Sequence, residues 1–515
     1  MAAGKGSPDH ARHNGNDTPS ETPLKVSVKN FGPISSGTIR LLPLTVLIGP
    51  SNSGKSYVSR LTYCIARSLH ALRDGFTMPM DAFMPLDKLG SGATPYTAAL
   101  SGMADAVKTL PRTRTAAIPA STVSLIQDAL LSPFPHKLAK ELRHEFKSDL
   151  GSMVRLSTRG FSISVSGPLR AHLGWPVNPK AKSQVAHRPK YWVDRDPNSG
   201  ELSLRTELDG KTSVLPLPTN ARHFDTADSG EPNDSVSHDL LRAIMGKVGA
   251  STLPPPGRTF FFLLSQSPLL NMLEVPDAGA DDSEHLHGFG SDSAPHGLPE
   301  GFLRSMLSID VNRPGPLHDL ADMMERELFG GNISLTKLMR EGMPTLSLQT
   351  PAGRVPLRLM SSHVSSMALL TIYLKYLVAP GHRIIVEEPE AHMHPANQLK
   401  FARHVALLVR RGVHVTLVTH SVLIVERLSA YMMVGELDKK ARKKASPEPD
   451  VYLTLGEVSA HEFIAGSGGS FTVRDLPCSK YDGMEQDKAG KLRLDMYNER
   501  LVIQQQIEGF VDDPE

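Results

Sequence analysis

Cysteine is almost missing from this chain. Cys64 and Cys478 are the only two in 515 residues, too few for a disulfide framework or a cysteine-built zinc site. Such scarcity fits a reducing interior. A dominant charge is missing too: 56 lysines and arginines face 54 aspartates and glutamates, for a net charge of +2. A nearly neutral molecule has no overall preference for nucleic acid, so local basic clusters would have to supply any such binding. No apolar run is long enough to span a membrane; the best candidate, Val364 to Ala379, is short and carries Lys375. Residues 1–23 are polar and lack the apolar core of a secretory signal. Repeats and sustained heptads are also lacking, which excludes a solenoid and a long coiled-coil arm. The expectation is a soluble, cytoplasmic protein.

What the chain does have is glycine and proline, 41 and 40 of them, which predicts long irregular insertions. Its length allows roughly two to four domains. Lys25–Phe31 alternates like a strand, turns at Gly32-Pro33, and a second strand, Gly37–Leu41, leads into a third, Leu44–Ile48. Helical spacing follows over Lys55–Leu72, Thr122–Leu131 and His136–Asp149. Phe161–Val165, Tyr191–Val193 and Glu201–Leu208 read as strands of a small sheet. Pro276–Gly301 is acidic and rich in Gly, Ser and Asp, and reads as a linker. In the C-terminal half a strand, Arg354–Leu359, is followed by alternating elements: helix Ser362–Leu377, strand His382–Val386, helix Ala396–Arg410, strand Val413–Val418, helix Ser421–Ser429. That alternation builds a parallel sheet flanked by helices.

The strongest signal lies between the third strand and the first helix. Gly49, Pro50, Ser51, Asn52, Ser53, Gly54, Lys55 and Ser56 form a complete phosphate-binding loop, GPSNSGKS. Its glycines let the backbone wrap an anion, so that amide N–H groups and the helix N-terminus face the phosphates. Lys55 would reach the β- and γ-phosphates, and the Ser56 hydroxyl would ligate Mg²⁺. Tyr57 follows directly and counts among the nucleotide-contacting residues. The pattern implies ATP or GTP.

A second signal is Arg383-Ile-Ile-Val-Glu-Glu-Pro-Glu-Ala-His-Met-His-Pro395. An apolar strand ending in two acids delivers them to the carboxyl edge of a parallel sheet, where ligands bind. Neighbouring strand residues point oppositely, so Glu387 would hold the metal through water while Glu388 orients or deprotonates the attacking water. Two acids solvating a strand end are the plain alternative. Thr419-His420-Ser421 ends the next strand; His420 there would donate a hydrogen bond to the γ-phosphate, or be a structural histidine.

These stretches, in this order, are similar to ABC-type ATPases of the SMC/RecF/OLD kind. More closely they resemble prokaryotic AAA family ATPases with an OLD-like domain, as do Asn30-Phe31-Gly32-Pro33-Ile34 and the strand entry Gly330–Leu335. The resemblance covers residues 24–72 and 258–430. It implies an α/β P-loop NTPase of ABC-ATPase type, with a mainly parallel central sheet, N-terminal antiparallel strands and a large α+β insertion. The expected division is a disordered 1–23, a half-head at 24–73, and an insertion at 74–257. The second half-head follows at 258–435, with an acidic loop at 276–301, and an appendage at 436–515.

The resemblance further implies a homodimer with two ATP molecules sandwiched between heads. The partner head would contribute the segment Leu359–Ser366, with Ser361 or Ser362 meeting the opposite γ-phosphate. His363 stands where a glycine is usual in such segments, and could crowd the phosphate. The simpler reading of the segment is a serine-capped helix packing Leu369, Leu370 and Leu374 inward. A glutamine linking metal to insertion is expected at a strand end, and Gln266 matches it; otherwise it is a loop glutamine.

Other signals carry less. His392, His394 and His420 could be imagined as a metal cluster, but a loop beside a nucleotide explains them better. Lys439–Lys444 reads as a solvated basic loop or a nucleic-acid backbone contact. Lys137–Arg195 mixes cations with Trp175, Tyr191 and Trp192, as single-strand platforms do, though such residues more often form core and surface. Asp475, Asp482, Glu485 and Asp487 do not make a Toprim centre. The expected activity is Mg²⁺-dependent ATP hydrolysis coupled to DNA or an effector protein, in repair or anti-phage defence. The rival reading is a nucleotide-gated scaffold with negligible turnover.

Overall fold

The computed structural model describes residues 23–77, 114–131, 133–167, 169–176, 184–185, 190–196, 201–208, 211–220, 259–263, 309–336, 345–356, 359–485, 495–504 and 506. Gln266 and the 276–301 stretch lie outside them. In chain order, β1 (Leu24–Phe31), β2 (Ile34–Leu41) and β3 (Leu44–Ile48) precede α1 (Lys55–Thr77). Next come β4 (Thr115–Ala117), α2 (Ala120–Leu131), α3 (Phe134–Phe146), β5 (Phe161–Ser166), β6 (Leu169–Trp175) and β7 (Gln184–Val185). They are followed by β8 (Lys190–Arg195), β9 (Glu201–Leu208), β10 (Lys211–Asn220) and β11 (Thr259–Leu263). The later part holds α4 (His318–Phe329), β12 (Asn332–Thr336), β13 (Thr345–Thr350), β14 (Gly353–Pro356), α5 (Ser362–Tyr376) and β15 (Arg383–Glu387). After these stand α6 (Pro395–Arg410), β16 (His414–Val418), α7 (Val422–Gly435), α8 (Lys439–Ala445), β17 (Val458–Ala465) and β18 (Phe471–Leu476).

A mixed sheet of 11 strands dominates, in the order β11-β15-β16-β3-β17-β18-β2-β1-β5-β6-β7. The run from β11 to β17 is parallel throughout. The pairs β17–β18, β1–β2, β1–β5 and β5–β6 are antiparallel. Side chains of a strand alternate between faces, and two cores result. Leu44, Val46, Ile384, Val386, Val415 and Leu417 meet the apolar faces of α4, α5, α6 and α7. Leu47 and Val418 belong to the other core, with Val58, Leu61, Ile65 and Leu69 of α1 and Leu138 and Leu142 of α3. The helical stripe read from the spacing of α1 is thus its buried face.

Helix starts follow capping chemistry. Ser361 caps α5 by accepting from Val364 N–H at 3.4 Å, and Ser421 caps α7 by accepting from Ile424 N–H at 3.1 Å. His394 Nδ1 accepts from Ala396 N–H at the start of α6, where Pro395 opens the helix. One buried cation staples α4, α5 and β12 together. Lys375 Nζ reaches Asp322 at 2.9 Å, Glu325 at 2.7 Å and the Ile333 carbonyl at 3.0 Å.

Several expectations are corrected. Phe161–Ser166 does not share a sheet with Tyr191–Val193; it extends the large sheet by pairing with β1. The second and third strands of that reading, with β4 and β10, form a separate four-stranded sheet. Part of the expected insertion therefore shares a core with residues 24–72. Within 436–515, β17 pairs with β3 and β18 with β2, inside the large sheet. Polar residues disguise β17, but its His461 is fully buried, with Nδ1 2.9 Å from Asp475 and Nε2 accepting from Arg40 N–H at 3.2 Å. Helix α4 had escaped the periodicity reading altogether, and α7 runs six residues beyond Ser429, to Gly435.

Candidate nucleotide site

Strand register decides what meets at the sheet edge. Leu263 lies opposite Glu387, Glu387 opposite Val418, Val418 opposite Leu47, and Leu47 opposite His461. All these strands are parallel, so the residues that follow emerge together at one carboxyl edge. The phosphate-binding loop, the acid pair and Thr419-His420-Ser421 are therefore neighbours. Two backbone bonds stitch the row: Glu388 N–H donates to Val418 O at 2.9 Å, and Thr419 N–H to Leu47 O at 3.2 Å.

The loop itself turns through left-handed backbone at Gly49 (φ 147°), Asn52 (φ 59°) and Gly54 (φ 97°). A Cβ on Gly49 would stand 2.8 Å from the Phe463 carbonyl oxygen of β17, so only glycine fits there. Lys55 is buried, and its ammonium donates to the loop's own carbonyls, Gly49 O at 2.9 Å and Pro50 O at 2.6 Å. Burial lowers the Lys55 pKa to about 8, against the opposing pull of Glu388, Glu387 and Glu390.

Glu387 is almost wholly enclosed, 1% exposed, and points toward α1, where Ser59 donates to its Oε1. Burial raises its pKa; the Ser59 hydrogen bond, the Arg60 charge and a hydrogen bond from Ser56 counter that. Ser56 and Glu387 thus offer hard oxygen donors side by side, a donor set suited to Mg²⁺ rather than a soft metal. Glu388 follows the last residue of β15 and adopts φ 49°, outside the extended backbone of the strand. A left-handed glutamate before a proline costs about 1–3 kcal/mol, a strain that clusters at functional sites. His420 faces solvent; burial, then Lys55, lowers its pKa, and Glu390 and Glu388 oppose them.

Glu390 was not singled out in the sequence, although the spacing Glu-Glu-Pro-Glu contains it. Its Oε2 accepts from Thr419 Oγ1 at 2.8 Å and its Oε1 from His420 N–H at 2.5 Å. Gln398 was also missed: its Oε1 accepts from Ser421 Oγ at 2.6 Å, and its Nε2 donates to Met393 O at 3.1 Å.

The other predicted residues lie as follows. Pro50, Ser51 and Asn52 are exposed, whereas Ser53 and Gly54 are buried. Tyr57 packs its ring on Phe31 (5.7 Å) and Phe146 (5.1 Å) and against Gly32, a core role. Ser361 and Ser362 are exposed at the start of α5, and no hydrogen bond among the described residues ties them to the phosphate-binding loop. His363 points inward, 9% exposed, its ring edge-on to Phe329 at 5.7 Å. Burial, and next to it His392, bear on the His363 pKa, which is lowered. Among the described residues no group of histidine, cysteine and carboxylate side chains could hold a metal as a cluster of three. Of the aromatic–cationic region, Tyr191 is core and Arg205 lies over Trp192 at 4.6 Å while bonded to Asp194. No described helix is long and apolar enough to cross a membrane.

No known protein family's profile matches the chain, and no curated protein matches it. Among solved structures it is similar to the SMC head bound to the C-winged helix domain of ScpA. That match has 11% identity and a TM-score of 0.35, and covers 89% of this chain and 98% of that one. It is also similar to the SMC head domain from Thermotoga maritima, at 10% identity and TM-score 0.30, with 88% and 99% covered. A Pyrococcus furiosus Smc head with extended coiled coil, bound to the C-terminal domain of ScpA, gives 10% identity and TM-score 0.32, with 92% and 98% covered. Likenesses this distant carry no argument. The case rests on the sheet edge where Lys55, Glu387, Glu388 and His420 converge.

Proposed function

We propose that this chain binds ATP with Mg²⁺ and hydrolyses it, as an ABC-type head of the OLD-like kind. The observation that carries the reading is the convergence of a phosphate-binding loop, two successive acids and a histidine on one sheet edge. Lys55 would exchange its loop carbonyls for β- and γ-phosphate oxygens, an arrangement that keeps a buried ammonium satisfied in both states. Ser56 and Glu387 would hold the metal, which when bound neutralises charge on the phosphate oxygens. Glu388, directly after Glu387 at the strand end, would orient the attacking water and accept its proton. His420 would donate a hydrogen bond to the γ-phosphate.

Exposed Ser361 and Ser362 fit a sandwich of two heads in which each chain's α5 N-terminus faces the other's nucleotide. Head closure would then move the insertion, with DNA or an effector protein as its partner, in repair or anti-phage defence. The rival is a nucleotide-gated scaffold with negligible turnover, motivated by His363 in place of the usual glycine; against that motive, the His363 ring is turned inward onto Phe329.

Phosphate release from wild type, Lys55→Ala and Glu388→Gln tests the reading. Both variants are expected at background, with Glu388→Gln still binding ATP. Equal rates in all three would overturn it.

A further inference from the structure

His420 has a placement problem. Its ring faces solvent, so packing does not fix it; only its backbone does. That backbone is held by the sheet, through Thr419 N–H to Leu47 O, and from the neighbouring loop. Both carboxylate oxygens of Glu390 are committed there, Oε1 to the His420 amide at 2.5 Å and Oε2 to the Thr419 hydroxyl at 2.8 Å. Thr419 is fully buried, and its Oγ1 accepts in turn from Ser421 N–H at 2.9 Å. Ser421 Oγ donates to Gln398, which donates back to Met393 O. Glu390 itself sits inside the turn that carries Glu388, which Ala391 N–H closes by bonding Glu388 O at 3.1 Å. Beyond the backbone bonds Glu388 N–H to Val418 O and Thr419 N–H to Leu47 O, the Glu390 side chain adds the link between the turn carrying Glu388 and the Thr419-His420 loop. Hydrogen bonds to an ionised carboxylate are stronger than neutral ones, and a network of this kind acts as a unit.

We propose that Glu390 is a positioning residue for ATP hydrolysis, clamping the Thr419-His420 backbone so that His420 and Glu388 face the same phosphate. The inference rests on the hydrolytic reading above. It requires no contact between Glu390 and nucleotide. Removing the clamp would leave the phosphate-binding loop intact, and hence nucleotide affinity, while misplacing the two groups that act on the terminal phosphate.

The test compares wild type with Glu390→Ala, Thr419→Val and Thr419→Ser. It uses steady-state phosphate release, equilibrium binding of a fluorescent ATP analogue, and hydrogen exchange of the His420 amide. Glu390→Ala and Thr419→Val are expected to lower kcat roughly 10- to 100-fold. Analogue affinity should stay within about threefold of wild type. Thr419→Ser, which keeps the hydroxyl, should restore the rate; a role in folding alone would not separate kcat from affinity in this way. In Glu390→Ala the His420 amide should exchange faster. Unchanged kcat in Thr419→Val overturns the proposal, as does a parallel fall of kcat and affinity that Thr419→Ser fails to rescue. Should Glu390→Ala fail to fold, the Thr419 pair decides alone. If wild type binds the analogue without releasing phosphate, the hydrolytic reading fails. The clamp then stands or falls on the exchange: faster in Glu390→Ala supports it, unchanged removes it.

Discussion

Ser59 of α1 donates its hydroxyl to Glu387 at the end of β15, joining residues 328 positions apart inside a fully buried contact. The bond links the helix behind the phosphate-binding loop to the acid-bearing strand. It also supplies part of the solvation that an enclosed carboxylate would otherwise lack.

Ser59→Ala leaves Glu387 short of a donor in a buried setting. Unfolding free energy in urea, measured without nucleotide, is expected to fall by about 1–3 kcal/mol. Ser59→Thr, which keeps the hydroxyl, should lose less. An unchanged denaturation midpoint in Ser59→Ala would mean that the bond contributes nothing to stability.

Acid should weaken the fold through two histidines. Burial lowers His404 to about 4, with Glu327 pulling upward; burial and the Arg383 charge lower His414 to about 4. Unfolded histidine titrates near 6.5. Between those values the unfolded chain binds protons that the folded one refuses, so stability falls as pH drops from about 6.5 toward 4. Thermal midpoints of wild type should decline across that window. The double variant His404→Gln/His414→Asn should show a shallower slope, whatever its starting midpoint. Parallel slopes would contradict the assignment.

Ser362 is exposed at the first turn of α5, so a large substituent there has room in a single chain. In the Glu388→Gln background, ATP is expected to convert monomer to dimer in size-exclusion with light scattering. Adding Ser362→Arg should abolish that shift, with nucleotide binding retained. A dimer that persists with arginine at this position would exclude the sandwich geometry.

What could be read without coordinates was local. The phosphate-binding loop needs its glycines and lysine within eight consecutive residues, GPSNSGKS. Apolar strands ending in acids, or in Thr-His-Ser, advertise a sheet edge in equally short text. β15 and β16 pair in parallel, as strand–helix alternation predicts, whereas β14 stands apart from them, antiparallel to β13 in a three-stranded sheet. Less local features escaped. β17 hides Ser459, His461 and Glu462 among its apolar residues, because Arg40 and Asp475 satisfy its buried polar atoms from other strands. β5 alternates as an edge strand would, yet nothing in its six residues names β1 as its partner.

By itself the sequence determined the chemistry available: which anion-binding loop, which acids, which histidine, and that each ends a strand. Tertiary structure alone decided which of them meet. Register across five parallel strands aligned Glu387, Val418 and Leu47, and only then could Glu390 reach the His420 amide. The same holds for His363, whose inward turn onto Phe329 depends on where α4 packs. Short-range pattern follows from backbone geometry, which every residue carries with it. Long-range pairing depends on which surfaces bury one another, and no single stretch contains that information.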